Sequence, residues 1–188
     1  YTGKLIGSSA NSIAAYGHDS AAEIWFNKTR YGMWEDFVNY AKSIGNIGLW
    51  QGQYDSGIVD RYGFYTEMVR GSTGEDLFAN NEFIWSEVFY HFIDILAPDK
   101  ISYIPYADRE NGLFKISSNV FFWPAYAFPN KDLGKYSRYM FNASENSGLL
   151  RLLYYDSSWN NNLNPYSYIP TDYRRPGTGG LFMMRTDW

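Results

Sequence analysis

The chain has 188 residues, of which 45% are hydrophobic, 20% aromatic and only 19% charged, with a formal net charge of −4. That is the length of one domain, or of one domain and a short extension, and it is enough to bury a proper core. The composition excludes a disordered chain, which needs low hydrophobicity and high charge; the acidic balance argues against a nucleic-acid binder that grips phosphates; and the absence of cysteine excludes disulfides, iron–sulfur clusters and a thiol nucleophile.

With only His18 and His91 present, a multi-histidine metal centre is not expected. The longest apolar runs, such as Val120-Phe121-Phe122-Trp123, are far too short for a membrane span. Two triplets, Asn27-Lys28-Thr29 and Asn142-Ala143-Ser144, permit N-glycosylation in a source that glycosylates. The chain opens on Tyr1 and closes in an apolar strand, so a processed chain or a fragment of something larger is expected.

The clearest helix is predicted over residues 19–44. Ser20 followed by Glu23 has the form of a capping box. Ala21, Ile24, Trp25, Trp34, Phe37, Val38, Ala41 and Ile44 recur near the helical period, and Gly45 supplies a stop. Residues 45–74 carry seven glycines mixed with Trp50, Tyr54, Tyr62, Phe64 and Tyr65, which reads as a long aromatic loop of the kind that carries function. A second helix is predicted over 75–97, with Thr73 and Asp76 as a capping signal, a broad stripe from Phe78 to Leu96, and Pro98 as terminator. Trp34, Trp85 and Phe89 belong to the core, and His91 reads as a helix-face histidine beside the stripe.

Residues 98–119 read as loop again. Shorter helices follow over 120–127, broken by Pro124, over 131–141 and over 145–155, before an Asn-rich break at 160–165. The tail is extended and ends in a strand at 181–184. The fold class is therefore mainly α, with long aromatic loops between helices and a β element at the end. That pattern fits a helical toroid or array better than a compact four-helix bundle.

Three features point to carbohydrate chemistry. Loop aromatics such as Trp50, Tyr54, Tyr62 and Tyr65 offer ring faces for pyranose C–H groups and polar edges for hydroxyls. The cluster Asp55, Asp60, Arg61, Tyr62, Tyr65, Glu67 and Arg70 joins groups that move protons to guanidinium groups that hold a carboxylate bidentately. Tyr103 to Asn111, with Tyr106, Asp108 and Arg109, reads as a segment that shapes a site. No cofactor is required; Ca²⁺ at Asp55 and Asp60 has no supporting EF-hand spacing, and no phosphate loop is present.

Four passages, in order, resemble the heparinase II/III-like polysaccharide lyases and their relatives. Ala15-Tyr16-Gly17-His18-Asp19-Ser20-Ala21-Ala22-Glu23 resembles the Gly-x-Asp turn that opens a toroid helix. Tyr62-Gly63-Phe64-Tyr65-Thr66-Glu67 is similar to the loop that reaches the substrate groove, and Pro105-Tyr106-Ala107-Asp108 to a Pro-x-Gly-Asp segment between later helices. The stretch Gly180 to Trp188 resembles the Met-Arg strand that begins a β-sandwich.

The resemblance implies part of an incomplete (α/α) toroid over residues 1–165, then a linker and the first sandwich strand over 166–188. It also implies a secreted, extracellular or periplasmic protein whose partner is a polysaccharide or oligosaccharide, completed by further polypeptide. The implied reaction is β-elimination at a uronic acid, with Tyr65 or Tyr62 as acid/base and Glu67 handling protons or shaping the site. Trp50, Tyr54, Arg61, Thr66, Arg70, Tyr106, Asp108 and Arg109 would bind substrate. Where lyases place His or Asn to neutralise the uronate, this chain has Thr66, leaving Arg61, Arg70 or Thr66 as substitutes. Two other readings stand beside this one. One is a glycoside hydrolase on the same toroid using Glu67 and Asp108. The other is a non-catalytic extracellular carbohydrate-binding or structural protein.

Overall fold

The computed structural model describes residues 2–44, 55–103, 114–115, 119–144, 153, 159, 162–168, 172–175 and 181–184. These residues are mainly helical. Helix α1 spans Thr2–Ala14, a helix the sequence pattern did not announce, since its inward positions Leu5, Ser9 and Ser12 are mostly polar. A turn follows in which Gly17 takes φ +78°, a conformation that favours glycine. Asp19 then caps α2 (Ser20–Asn27), its carboxylate accepting from Ala21 N at 2.8 Å, so Asp19 rather than Ser20 holds the capping position.

From Ser20 the chain stays helical to Ile44, through a π-helical stretch (Lys28–Trp34) and α3 (Glu35–Ile44). The π stretch brings Thr29 and Trp34, five residues apart, to the buried side together with Arg30. Its effect is to rotate the apolar face. Ala22, Phe26, Trp34, Phe37, Val38 and Ala41 are buried, whereas Ile24 and Trp25, assigned to the core stripe by periodicity, are 68% and 51% exposed.

The predicted loop over 45–74 is corrected from residue 55 onward. Helix α4 runs Asp55–Thr73. Ile58, Val59, Tyr62, Tyr65, Thr66 and Val69 form its buried face at helical spacing. That burial outweighs the cost of about 1 kcal/mol for each internal glycine. The helix predicted over 75–97 is two helices, α5 (Leu77–Asn80) and α6 (Glu82–Asp94). Asp76 caps α5 through Ala79 N at 3.0 Å, and Asn81, whose side-chain amide donates to Leu77 O, makes the break.

A short hairpin, β1 (Ser102–Tyr103) with β2 (Phe114–Lys115), leads toward α7 (Asn119–Ala127). Pro124 lies inside α7 without breaking it. The loss of about 3 kcal/mol for an internal proline is offset by full burial of Val120, Phe121, Phe122 and Trp123. Helix α8 spans Asp132–Ala143. The helix predicted over 145–155 lies, apart from residue 153, outside the described residues. In the tail, β3 (Asp172–Arg175) pairs antiparallel with β4 (Leu181–Met184), Asp172 opposite Met184 and Arg175 opposite Leu181, so the lone terminal strand is half of a hairpin.

Packing alternates along the chain. Helix α1 packs on α4 and α4 on α7, while α2, α6 and α8 pack on their chain neighbours α1 and α7. One aromatic core runs through this arrangement. Phe37 stacks on Tyr62 at 3.9 Å between centroids, Trp34 meets Tyr65 at 5.2 Å, and Trp85, Phe89, Phe121 and Phe122 continue it. Trp85 and Phe89 are core residues as expected, and His91 is fully buried on α6.

Candidate functional site

The charged residues of α4 do not stand free in a loop. Four positions on one side of this helix, Asp60, Gly63, Glu67 and Arg70, meet Asn119, Trp123 and Tyr126 of α7. The Asp60 carboxylate accepts from Trp123 Nε1 and from Asn119 Nδ2, both at 2.9 Å. Trp123 lies so close over Gly63 that a Cβ there would come within 2.2 Å of the indole. One turn on, Tyr126 donates to Glu67 Oε1 at 3.0 Å, and Arg70 donates to Glu67 Oε2 at 2.6 Å. The Arg70 guanidinium also lies 5.0 Å from the Tyr126 ring centroid and 5.3 Å from that of Phe78.

Partners on α7 advance as partners on α4 advance, so the two helices run parallel with their N-terminal ends together. Tyr54 immediately precedes the first residue of α4. Lys115 of β2 lies four residues before α7, a reach of at most about 14 Å.

Tyr62 and Tyr65 sit in the core, 3% and 0% exposed. Burial pushes the Tyr65 phenol above the usual 10.0, with the Arg30 guanidinium and Thr29 hydroxyl pulling partly back. A phenolate base needs the opposite shift and a path to substrate. Thr66 is buried as well, its hydroxyl donating to Gly63 O at 2.8 Å, so it does not face a groove. Arg61 is exposed.

Beside Tyr65 stands a charge cluster built on the buried Arg30 and two partly exposed carboxylates. Arg30 donates from Nε to Glu75 Oε2 at 2.8 Å and also bridges Glu75 Oε1 and Glu35 Oε1. Those hydrogen bonds hold Arg30 firmly charged, and Arg30 in turn holds the Glu75 carboxyl below its ordinary 4.5. This is a cross-brace from the π stretch to the segment after α4. Its guanidinium is committed to two carboxylates already.

Tyr65→Phe separates the two roles. A phenol whose folded value is raised stabilises fully below the unfolded value of 10.0 and loses that contribution as pH rises through the folded value. The parent is therefore expected to lose stability more steeply than Tyr65→Phe above about pH 10. Urea midpoints measured for both proteins in mildly and strongly alkaline buffer check this; parallel curves would remove the buried-phenol account.

Trp50, Tyr54, Tyr106, Asp108 and Arg109 lie outside the described residues, and so does the Glu67–Asp108 separation that a hydrolase reading requires. Among the described residues no three acidic or histidine side chains gather as a metal site, and no helix is long and apolar enough to cross a membrane. Sequence reasoning missed a cavity of about 370 Å³ between α1 and α2, lined by Ser8, Asn11, Ser12, Asp19 and Trp25 among others. With α1 unread, no signal placed those residues together. No family model matches the chain, and no curated protein or solved structure matches it.

Proposed function

We propose that this chain is part of a carbohydrate-active protein resembling the polysaccharide lyases, cleaving a uronic-acid polymer by β-elimination. The observation that carries the reading is the parallel α4–α7 pair. Its polar seam brings the N-terminal ends of both helices together; of the two aromatic and charged segments singled out in the sequence, 45–74 begins ahead of α4 and 103–111 ahead of α7 in the chain. The packing of α1 on α4 and of α4 on α7, with returning helices between them, supports a toroid arrangement.

In this reading α4 is chiefly the frame of the site and offers its chemistry only the exposed Arg61. The acid/base phenol belongs to Tyr54 or Tyr106 rather than to buried Tyr62 or Tyr65, and carboxylate neutralisation falls to Arg61 or Arg109. Holding positive charge where the enolate forms is the main catalytic demand.

The test is ultraviolet absorbance of the unsaturated product, with the complete polypeptide on polygalacturonate, alginate and glycosaminoglycans. Turnover of one of them is expected. Tyr54→Phe or Tyr106→Phe is expected to lower kcat by about a hundred- to ten-thousand-fold, while Tyr65→Phe stays close to the parent. No absorbance change on any uronate polymer would end the lyase reading and leave a binding or structural role.

A further inference from the structure

We propose that the cavity between α1 and α2 binds one neutral pyranose of a glycan, with Trp25 as its stacking face and Asn11, Ser8 and Asp19 as partners for its hydroxyls. This site is separate from the α4–α7 end and does not depend on the elimination reaction. Three observations carry it.

First, the cavity has the right size and make-up. At about 370 Å³ it falls within the range of small-ligand sites. It is an open depression floored by the buried Ser12 and Ala22 and bordered by Ala15 and Ala21.

Second, Trp25 is a large aromatic left 51% exposed, whereas among the described residues Trp34, Trp85, Trp123 and Trp159 are buried. The Lys28 ammonium lies 4.9 Å from its ring centroid. That contact holds the indole in place beside the pocket it lines. An exposed indole beside polar groups is the arrangement that takes the C–H face of a sugar.

Third, the polar groups have capacity left. The Asp19 carboxylate uses one oxygen on Ala21 N, and a carboxylate offers about four acceptor positions. Asn11 adds an exposed amide with donors and an acceptor, and Ser8 a hydroxyl, whereas the Ser12 hydroxyl is committed to Ser9 O at 3.0 Å. The carboxylate of Asp19 in the wall repels a uronate, which selects a neutral sugar over the charged polymer of the elimination reaction.

Isothermal titration calorimetry of the intact protein with cellohexaose, maltohexaose, mannohexaose and oligogalacturonate tests this. Saturable binding of at least one neutral oligosaccharide is expected. Trp25→Ala is expected to weaken it about tenfold, and Asn11→Ala to weaken it measurably. Both side chains are exposed, so both variants should melt near the parent, and circular dichroism checks that. Absence of neutral-sugar binding, or binding untouched by Trp25→Ala and Asn11→Ala, overturns the site. Oligogalacturonate binding that is lost with Trp25→Ala overturns the neutral class. Neither result bears on uronate turnover, which is read separately by absorbance.

Discussion

Gly63→Ala is expected to destabilise the protein by about 2 kcal/mol or more, which lowers the melting temperature by about 4–8 °C for a chain of this size. The added methyl would sit 2.2 Å from two carbons of the Trp123 indole and 2.3 Å from Nε1, whereas comfortable carbon contacts begin near about 3.5 Å. The indole cannot swing aside cheaply. Asp60 holds its Nε1 at 2.9 Å, Phe64 and Phe122 pack edge-on at 5.1 Å, and the ring is fully buried.

Helix propensity pulls the other way by about 1 kcal/mol, since alanine is a better helix former than glycine. Overpacking of about 3 kcal/mol wins. Gly57 and Gly71 provide the control. They lie in the same helix, are exposed, and have nothing within 4 Å of an added Cβ. Gly57→Ala and Gly71→Ala should therefore stabilise by about 0.5–1 kcal/mol. Thermal melts of the three variants decide the matter: a Gly63→Ala protein that melts like Gly57→Ala would mean that α4 and α7 do not approach as described.

Arg30→Met should cost about 2–4 kcal/mol at neutral pH. The guanidinium side chain is only 8% exposed, and removing it strands two carboxylates. The estimate lies below that for a fully buried pair because Glu35 and Glu75 keep 42% and 31% of their side-chain surface. The acid limb gives a second reading of the same brace. Glu75 has a folded value below 4.5, so its contribution is present above that pH and is lost as pH falls through the lowered value. The parent should thus lose stability on acidification more steeply than Arg30→Met. Urea unfolding at neutral and acid pH measures both. The triple variant Arg30→Met, Glu35→Gln, Glu75→Gln should recover much of the neutral-pH loss, because the penalty lies in the stranded charges and less in the missing bridge. A single variant as stable as the parent at neutral pH would show the brace to be dispensable.

The long periodic helices were legible in the sequence because their apolar faces come from Phe, Val, Leu and Trp. The stretch 19–44 and the helices near 120–127 and 131–141 fall where the pattern put them, and the helical stretch before Pro98 does so in two pieces. Helix α4 was hidden by its glycines, although Ile58, Tyr62, Tyr65 and Val69 kept the period. A loop over 45–74 makes its tyrosines ligand-facing aromatics, whereas the helix turns Tyr62 and Tyr65 into the core. Helix α1 was hidden because its inward face uses Ser9 and Ser12, which carry no hydropathy signal. A π stretch has no sequence signature, so the rotation that exposes Trp25 and buries Arg30 could not be foreseen. The seam partners Asn119 and Tyr126 were unread for a different reason. A cross-helix hydrogen bond between positions about sixty residues apart leaves no local trace.

The alternation of packed helices has a consequence for cooperativity. Helix α1 leans on α4, α4 leans on α7, and no strong contact links α1 directly to α7 among the described helices. Helix α4 is thus the element through which α1 and α7 are coupled. Because one core joins Leu5 of α1, Tyr62 and Tyr65 of α4 and Phe121 and Phe122 of α7, a lesion at the α4–α7 junction is passed through α4 to the rest of the array.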